Sequence, residues 1–374
     1  MKKSAFFVIL FAFLFTISSA FAGTFTKGLA GKEDISLWYH AGTDSRTYTR
    51  PTSTGYSLTL HKIDWVGIDV GQVYGAGVNY TDSEISDALT DIGVTDKRTI
   101  WLAPTTWNIN DDLTTTSNVM IVCPAGCILN IAAGKTLTIN GPFEAGLYQV
   151  FSGTGSVAFG RGAITYDYPE WWGAWPSDGV DDTAAIGKAV DAAGSRAIVK
   201  FNAGYYNLTS LAVDSLFHIE GVGGANVGNI IADTYNFTTL VFSEPAGTAL
   251  EFHNAGWGLT NCTMKNIAID TVTTGTSVYF NHCPLLNLEN VFVNVDNDDN
   301  GSIALHFHDS WSLDAKRVWV NENDVDRDAG TGIKVTNTAM GGDFSFIECS
   351  ADGFLNAWLF GEEANPPTGT IQAI

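Results

Sequence analysis

The chain is short of positive charge. Its 374 residues carry 19 Lys and Arg against 40 Asp and Glu, a formal net charge of −21. A field of that sign repels phosphate backbones and anionic lipid, so nucleic acid and acidic membrane surfaces are excluded as partners. Polyanionic ligands need a cation or a local basic patch. Charge of either sign is sparse, at 16% of residues, while aromatics reach 12%, the balance of a folded β-rich chain rather than a disordered one. Cysteine is scarce as well, and of the five present Cys262, Cys283 and Cys349 show no zinc-type spacing. Cys123 and Cys127 bracket Pro-Ala-Gly, a turn that lets two thiols meet, whereas Cys262, Cys283 and Cys349 read as small buried residues.

Long apolar runs are missing except at the start. Met1-Lys2-Lys3, an apolar stretch over 5–17 and the small-residue site Ala20-Phe21-Ala22 have the layout of a secretory signal peptide cut after Ala22. The expectation is a secreted, cell-surface or periplasmic protein with no membrane span once residues 1–22 are removed. Losing Lys2 and Lys3 leaves 17 basic residues (19 − 2) against 40 acidic, a charge of −23.

What the sequence does have is a repeat. Apolar-x-apolar pairs recur at Leu250/Phe252, Val278/Phe280, Leu305/Phe307 and Ile333/Val335, in steps of 28, 27 and 28 residues, three of them opened by Gly247, Gly275 and Gly301. A second series runs through Ile267/Ile269, Val291/Val293 and Val318/Val320, with Phe346 read in step. Two alternating strands per repeat cannot bury their inner faces alone, but stacked on their neighbours they can. The pattern predicts an all-β parallel solenoid in which residues one repeat apart become neighbours.

A helix-then-strand unit occurs twice upstream. Thr81–Gly93 with the strand at 99–102, and Asp181–Gly194 with the strand at 197–201, each place apolar residues at i, i+3, i+4 and i+7. Thr81 with Glu84 reads as a capping box, Asp182 as an N-cap, and Gly93 and Gly194 as helix ends. These short helices are expected to cap open strand edges. The domain reading is a signal peptide over 1–22, an irregular β-rich N-terminal extension over 23–78, a first helix–strand unit with short strands over 79–168, and a parallel β-helix domain over 169–374. At the far end, either Pro366-Pro367 begins a tail that caps the last strands or the chain is part of a longer protein.

Tyr168-Pro-Glu-Trp-Trp-Gly-Ala-Trp175, with Asp178–Ile186 and Phe201-Asn-Ala-Gly-Tyr-Tyr206, resembles the entry segment of the pectate lyase superfamily, in its rhamnogalacturonase/epimerase-like branch. The resemblance covers about 40 residues. It implies a right-handed parallel β-helix of the pectin-lyase kind, exported and acting on or binding polysaccharide; the handedness agrees with the general rule for parallel crossovers. The Gly-His-Gly and Arg-Ile-Lys motifs of polygalacturonases are missing, as are the Trp-x-Asp-His and Arg-x-Pro-x-x-Arg motifs of calcium-dependent pectate lyases. No family catalytic residue carries over, and fold alone does not assign function.

Candidate chemistry therefore comes from the columns. The acidic turns 294–300 and 321–328 follow equivalent strands, which sets Asp296, Asp298 and Asp299 beside Asp324 and Asp326. Strand spacing puts such carboxylates about 5–10 Å apart, the range of glycoside hydrolysis. Asp296, Asp298, Asp324 and Asp326 also suit a Ca²⁺ site, or else form solvated polar loops. A second column holds His253, His282, His306, His308 and Asp309, four of the seven histidines. It reads as a general acid/base set centred on His282, His308 and Asp309, or as a ladder that satisfies a buried corner. Lys316, Arg317 and Lys334 are candidate lyase cations or solvated strand ends. Asp178, Asp181 and Asp182 are read as helix capping, and Trp171, Trp172 and Trp175 as stacking on sugar or, preferably, as pinning the entry loop.

The resulting expectation is a secreted polysaccharide-active protein, a glycoside hydrolase or a polysaccharide lyase, with catalytic Asp296, Asp298, Asp299, Asp309, His282 and His308. The rival expectation is a non-catalytic glycan-binding adhesin or tailspike-like scaffold, as a homotrimer.

Overall fold

The computed structural model describes residues 37–39, 46–49, 57–62, 68–69, 80–214, 217–223, 237–244, 246–253, 261–296, 302–310, 312–322, 330–336, 342–361 and 369–373. The chain divides into two compact units, Met1–Tyr39 with Ser45–His61, and His40–Asp44 with Lys62–Ile374. In the first, Leu37–Tyr39, Arg46–Thr49 and Ser57–Lys62 form a three-stranded sheet with the last strand in the middle, antiparallel to Arg46–Thr49. The proposed signal peptide lies outside the described residues, and no described helix is long and apolar enough to cross a membrane.

Strand is the main element of the second unit, and its ladders are parallel. From Thr238–Phe242 to Gly342–Ile347, strands fall alternately into two sheets. One, of six strands, runs Leu211–Val213, Thr248–His253, Thr276–Asn281, Ile303–His308, Thr331–Thr336, Asn356–Phe360. The other, of eleven, includes Thr263–Thr271, Asn287–Val295 and Leu313–Glu322 in succession. Each strand pairs with the strand one repeat later, so Phe252, Phe280 and Phe307 stand opposite one another, as the 28- and 27-residue steps require. Their rings stack with Phe217 at centroid separations of 3.9, 5.1 and 5.4 Å. Each buried ring contributes roughly 2–3 kcal/mol by area, and each stacked pair about 1 kcal/mol more. The glycine that opens a repeat is a packing requirement: a Cβ on Gly275 would lie 2.0 Å from the Gly247 carbonyl oxygen.

The strands of the larger sheet bend. Asn266, Asn290, Arg317 and Glu348 occupy equivalent positions with φ of 54°, 54°, 52° and 55°, the left-handed region. Asn290 Nδ2 donates to Asn266 Oδ1 at 2.8 Å, and Arg317 Nε donates to Asn290 Oδ1. An amide ladder thus holds this corner. The corner also corrects one expectation: Phe346 pairs with Ala315, in the column of Met264 and Leu288, and not with the Val318/Val320 series. The left-handed Glu348 follows Phe346, so Phe346 precedes the bend where Val320 comes after it.

Residues 98–160 carry a repeat the sequence reading passed over as short strands. Three small parallel sheets align Ile100, Ile121 and Phe143; Trp107, Leu129 and Phe151; and Leu113, Leu137 and Val157. The two helices, α1 (Asp82–Ile92) and α2 (Thr183–Ala193), are placed alike. Thr81 bridges to Asn108 and Asp181 to Asn207, which supports the internal duplication. Helix α2 buries Ile186, Ala189, Val190 and Ala193 and packs on Ser156–Phe159 and Leu211–Val213, each an edge strand of its sheet.

Candidate functional site

In the six-stranded sheet the alternation that buries Leu250/Phe252, Val278/Phe280 and Leu305/Phe307 turns the intervening residues outward. Parallel register then builds two outer columns: Glu251, Tyr279, His306 and Lys334 in one, and His253, Asn281, His308 and Thr336 in the next. Immediately after their strands, His282 and Asp309 take φ of 55° and 45°. Left-handed backbone outside glycine costs on the order of 1 kcal/mol, and here it re-aims both side chains toward the second column.

The result is a connected group. Asp309 Oδ2 lies 3.5 Å from His282 Nε2 and 3.6 Å from His308 Nε2. His282 Nδ1 lies 2.7 Å from Asn281 Oδ1. Thr336 Oγ1 is shared by His308 Nδ1 at 2.9 Å and His306 Nε2 at 2.8 Å. The Tyr279 ring lies 4.9 Å from that of His306 and 6.2 Å from that of His308. On the preceding repeat, His253 Nδ1 is 3.6 Å from Asp214 Oδ1. The Asp309 side chain is 16% exposed and that of His282 45%, so the group is sheltered yet reachable from solvent.

Electrostatics separate the roles. Burial first, then the charges of Lys334 and His308, hold His306 down at about 4, so it is a neutral base at neutral pH. Burial, then the fields of Glu251 and Asp309, push the Tyr279 phenol up, so it stays protonated. A bare imidazole nitrogen and a phenolic proton on one face are the two halves of acid–base chemistry.

A corner ladder is the alternative explanation for these residues, and the backbone argues against it. His282 N donates to His308 O at 3.0 Å and Asp309 N to Thr336 O at 2.9 Å, and Ser310 Oγ accepts from Cys283 N at 3.2 Å, so the turn is satisfied by main chain and Ser310 without the imidazoles. The amide ladder expected here stands at the other corner, on Asn266 and Asn290. The imidazoles spend their hydrogen bonds on side chains instead.

The other candidates fare differently. Asp298, Asp299, Asp324 and Asp326 lie outside the described residues. Asp296 is exposed at the end of its strand, where its charge adds to the burial that raises Asp270. Among the described residues no three His, Cys, Asp or Glu side chains are grouped to hold a metal ion. Lys316 and Arg317 belong to the larger sheet, away from Lys334. Arg317 is paired with Glu289 at 3.0 Å and Glu348 at 3.8 Å, in a ladder that Lys265 joins at 3.4 Å, so it is not a site cation.

Asp182 stands at the N-cap position expected of it, but its side chain makes no capping hydrogen bond. Asp181 accepts from Thr183 N at 3.0 Å, while Asp182, buried, accepts from Trp175 N and Asn207 N. Trp171 and Trp172 are buried against Phe143 and Phe151 and pin the entry segment; Trp175 is 39% exposed. Glu170 ties this segment down, accepting from Asn202 Nδ2 and Tyr206 Oη at 2.7 Å each. The five cysteines are free thiols. Tyr279 and Glu251 were passed over in the sequence, although both sit at the outward position between the two inward residues of the repeat.

Compared with protein-family models, with curated proteins and with solved structures, the chain matches none.

Proposed function

We propose that the second unit coils as a right-handed parallel β-helix and that the chain is exported and acts on polysaccharide through the outer face of the six-stranded sheet. Alternate strands pairing one repeat apart support the coil, and the general handedness of parallel crossovers supplies its sense. One observation carries the functional reading: His282, His306, His308 and Asp309 are linked through side chains at a corner whose backbone does not need them. In this reading a neutral imidazole takes a proton from the sugar or from water, the Tyr279 phenol donates one to the leaving oxygen, and the Asp309 carboxylate balances the imidazolium. Lys334 supplies the local positive charge that an acidic chain needs to receive an acidic glycan.

The test is incubation with a panel of neutral and acidic polysaccharides, read by reducing ends and by absorbance of unsaturated uronates. Asp309→Asn and His308→Ala are each expected to lower the rate 10²- to 10⁴-fold, as loss of a general acid or base does. Full activity in both variants sinks this site. Chelator sensitivity would move the chemistry to the acidic turns at 296–299 and 324–326, with Ca²⁺. Retention on a polysaccharide without product would favour the binding scaffold.

A further inference from the structure

Thr336 has one hydroxyl proton and two imidazole nitrogens within 2.9 Å, one from His306 and one from His308. A hydroxyl donates once, so with both rings neutral it donates to one and accepts from the other. Asp309 decides the direction. If His308 carried its proton on Nδ1, its bare Nε2 would face the Asp309 carboxylate at 3.6 Å, lone pair against lone pair. The proton therefore sits on His308 Nε2, Thr336 donates to His308 Nδ1, and His306 donates to Thr336 from Nε2. That leaves His306 Nδ1 bare, and it makes no hydrogen bond among the described residues.

We propose that Thr336 is a positioning residue that joins His306 and His308 into one proton relay, entered at His306 Nδ1 and ending beside Asp309. It deepens the acid–base reading of this face and rests on it. The step balances within the chain of contacts. A proton bonds to His306 Nδ1; the proton on His306 Nε2 passes to Thr336 Oγ1; the original hydroxyl proton passes to His308 Nδ1. His306 ends neutral with its tautomer reversed, and His308 ends as imidazolium, doubly protonated, against the Asp309 carboxylate.

The surroundings favour that end state. His306 faces Tyr279 and the Lys334 cation, where a positive charge is repelled. His308 faces Asp309, with His282 on the far side of the same carboxylate and Tyr279 beside it. Among the described residues, Glu251 and the His253–Asp214 pair lie one repeat further and complete the charged groups on this face. The relay lets His306 act as a base while the charge comes to rest elsewhere.

Nitrogen-15 NMR of the histidine-labelled full chain tests this without any substrate, so its outcome is separate from that of the polysaccharide panel. At neutral pH both His306 and His308 are expected as Nε2–H tautomers. On acidification His308 becomes imidazolium while His306 switches to Nδ1–H without charging. In Thr336→Val the switch is expected to vanish and the two rings to titrate independently; Thr336→Ser, which keeps the hydroxyl, retains it. A His306 that is Nδ1–H at neutral pH in the unaltered protein overturns the proposal whether or not the variants fold. So do identical titrations in the unaltered protein and Thr336→Val.

Discussion

Asp182 is 2% exposed and accepts from two backbone N–H groups, with no cation paired to it among the described residues. Burial outweighs those hydrogen bonds and pushes its carboxyl up to about 6. The folded state then holds a proton that the unfolded chain, at its ordinary carboxylate pKa, has already lost. This contribution is full at low pH and is lost as pH rises through the window from about 4 to about 6, at a cost on the order of 3 kcal/mol. His306 works in the opposite sense: its lowered pKa contributes stability above about 6.5 that is lost as pH falls toward 4. Asp182→Asn isolates the first effect. Its stability relative to the unaltered protein, from urea unfolding, is expected to grow between pH 4 and 7, since the histidine cancels in the difference. A flat difference across that range would mean Asp182 is ionised at little cost.

At the scale of elements, the left-handed corner of the larger sheet combines two demands on one residue. Asn290 must hold φ at 54° and must also pass hydrogen bonds between Asn266 and Arg317. Asn290→Ala loses both, at about 2–3 kcal/mol, from the ladder bonds and the backbone term together. Asn290→Gly loses only the ladder and is expected to cost roughly 1 kcal/mol less. Denaturant midpoints give the ranking; alanine equal to glycine would show that the amide ladder, and not the backbone, sets this corner. The corner also explains what the sequence could not show. Left-handed positions filled by Asn, Asn, Arg and Glu have no single residue type in common, so no motif marks the bend that puts Phe346 in the column of Met264 and Leu288. The inward Phe and Val pairs were legible because burial leaves an alternation that repeats. The block over 98–160 was not, because strands of two to five residues are too short to show a period. The site was half legible: histidine is rare enough for a column of it to stand out. Tyr279 and Glu251 look like any outward residue on a strand, and only register places them beside the imidazoles.

For the whole molecule, the net charge of −21 is spread over a chain whose cations are partly committed to ladders such as Lys265–Glu289–Arg317–Glu348. Exposed pairs of this kind contribute about 0–1 kcal/mol each, and salt weakens them. Self-repulsion of the acidic excess acts over longer distances and is screened more strongly as the Debye length falls from about 30 Å to about 8 Å. Repulsion is expected to win, so the thermal midpoint should rise when sodium chloride goes from 10 to 150 mM. A fall would show that the ladders outweigh the net charge.

The parallel ladders have a kinetic corollary. Every strand in them waits for a partner only one repeat away along the chain, never for the distant terminus. Assembly can therefore proceed in the order in which residues emerge during synthesis, each new strand templated by its predecessor in the sheet. A chain paused halfway would present a ready, unprotected template to its neighbours. Yield should thus depend on how fast the remainder is delivered rather than on final stability.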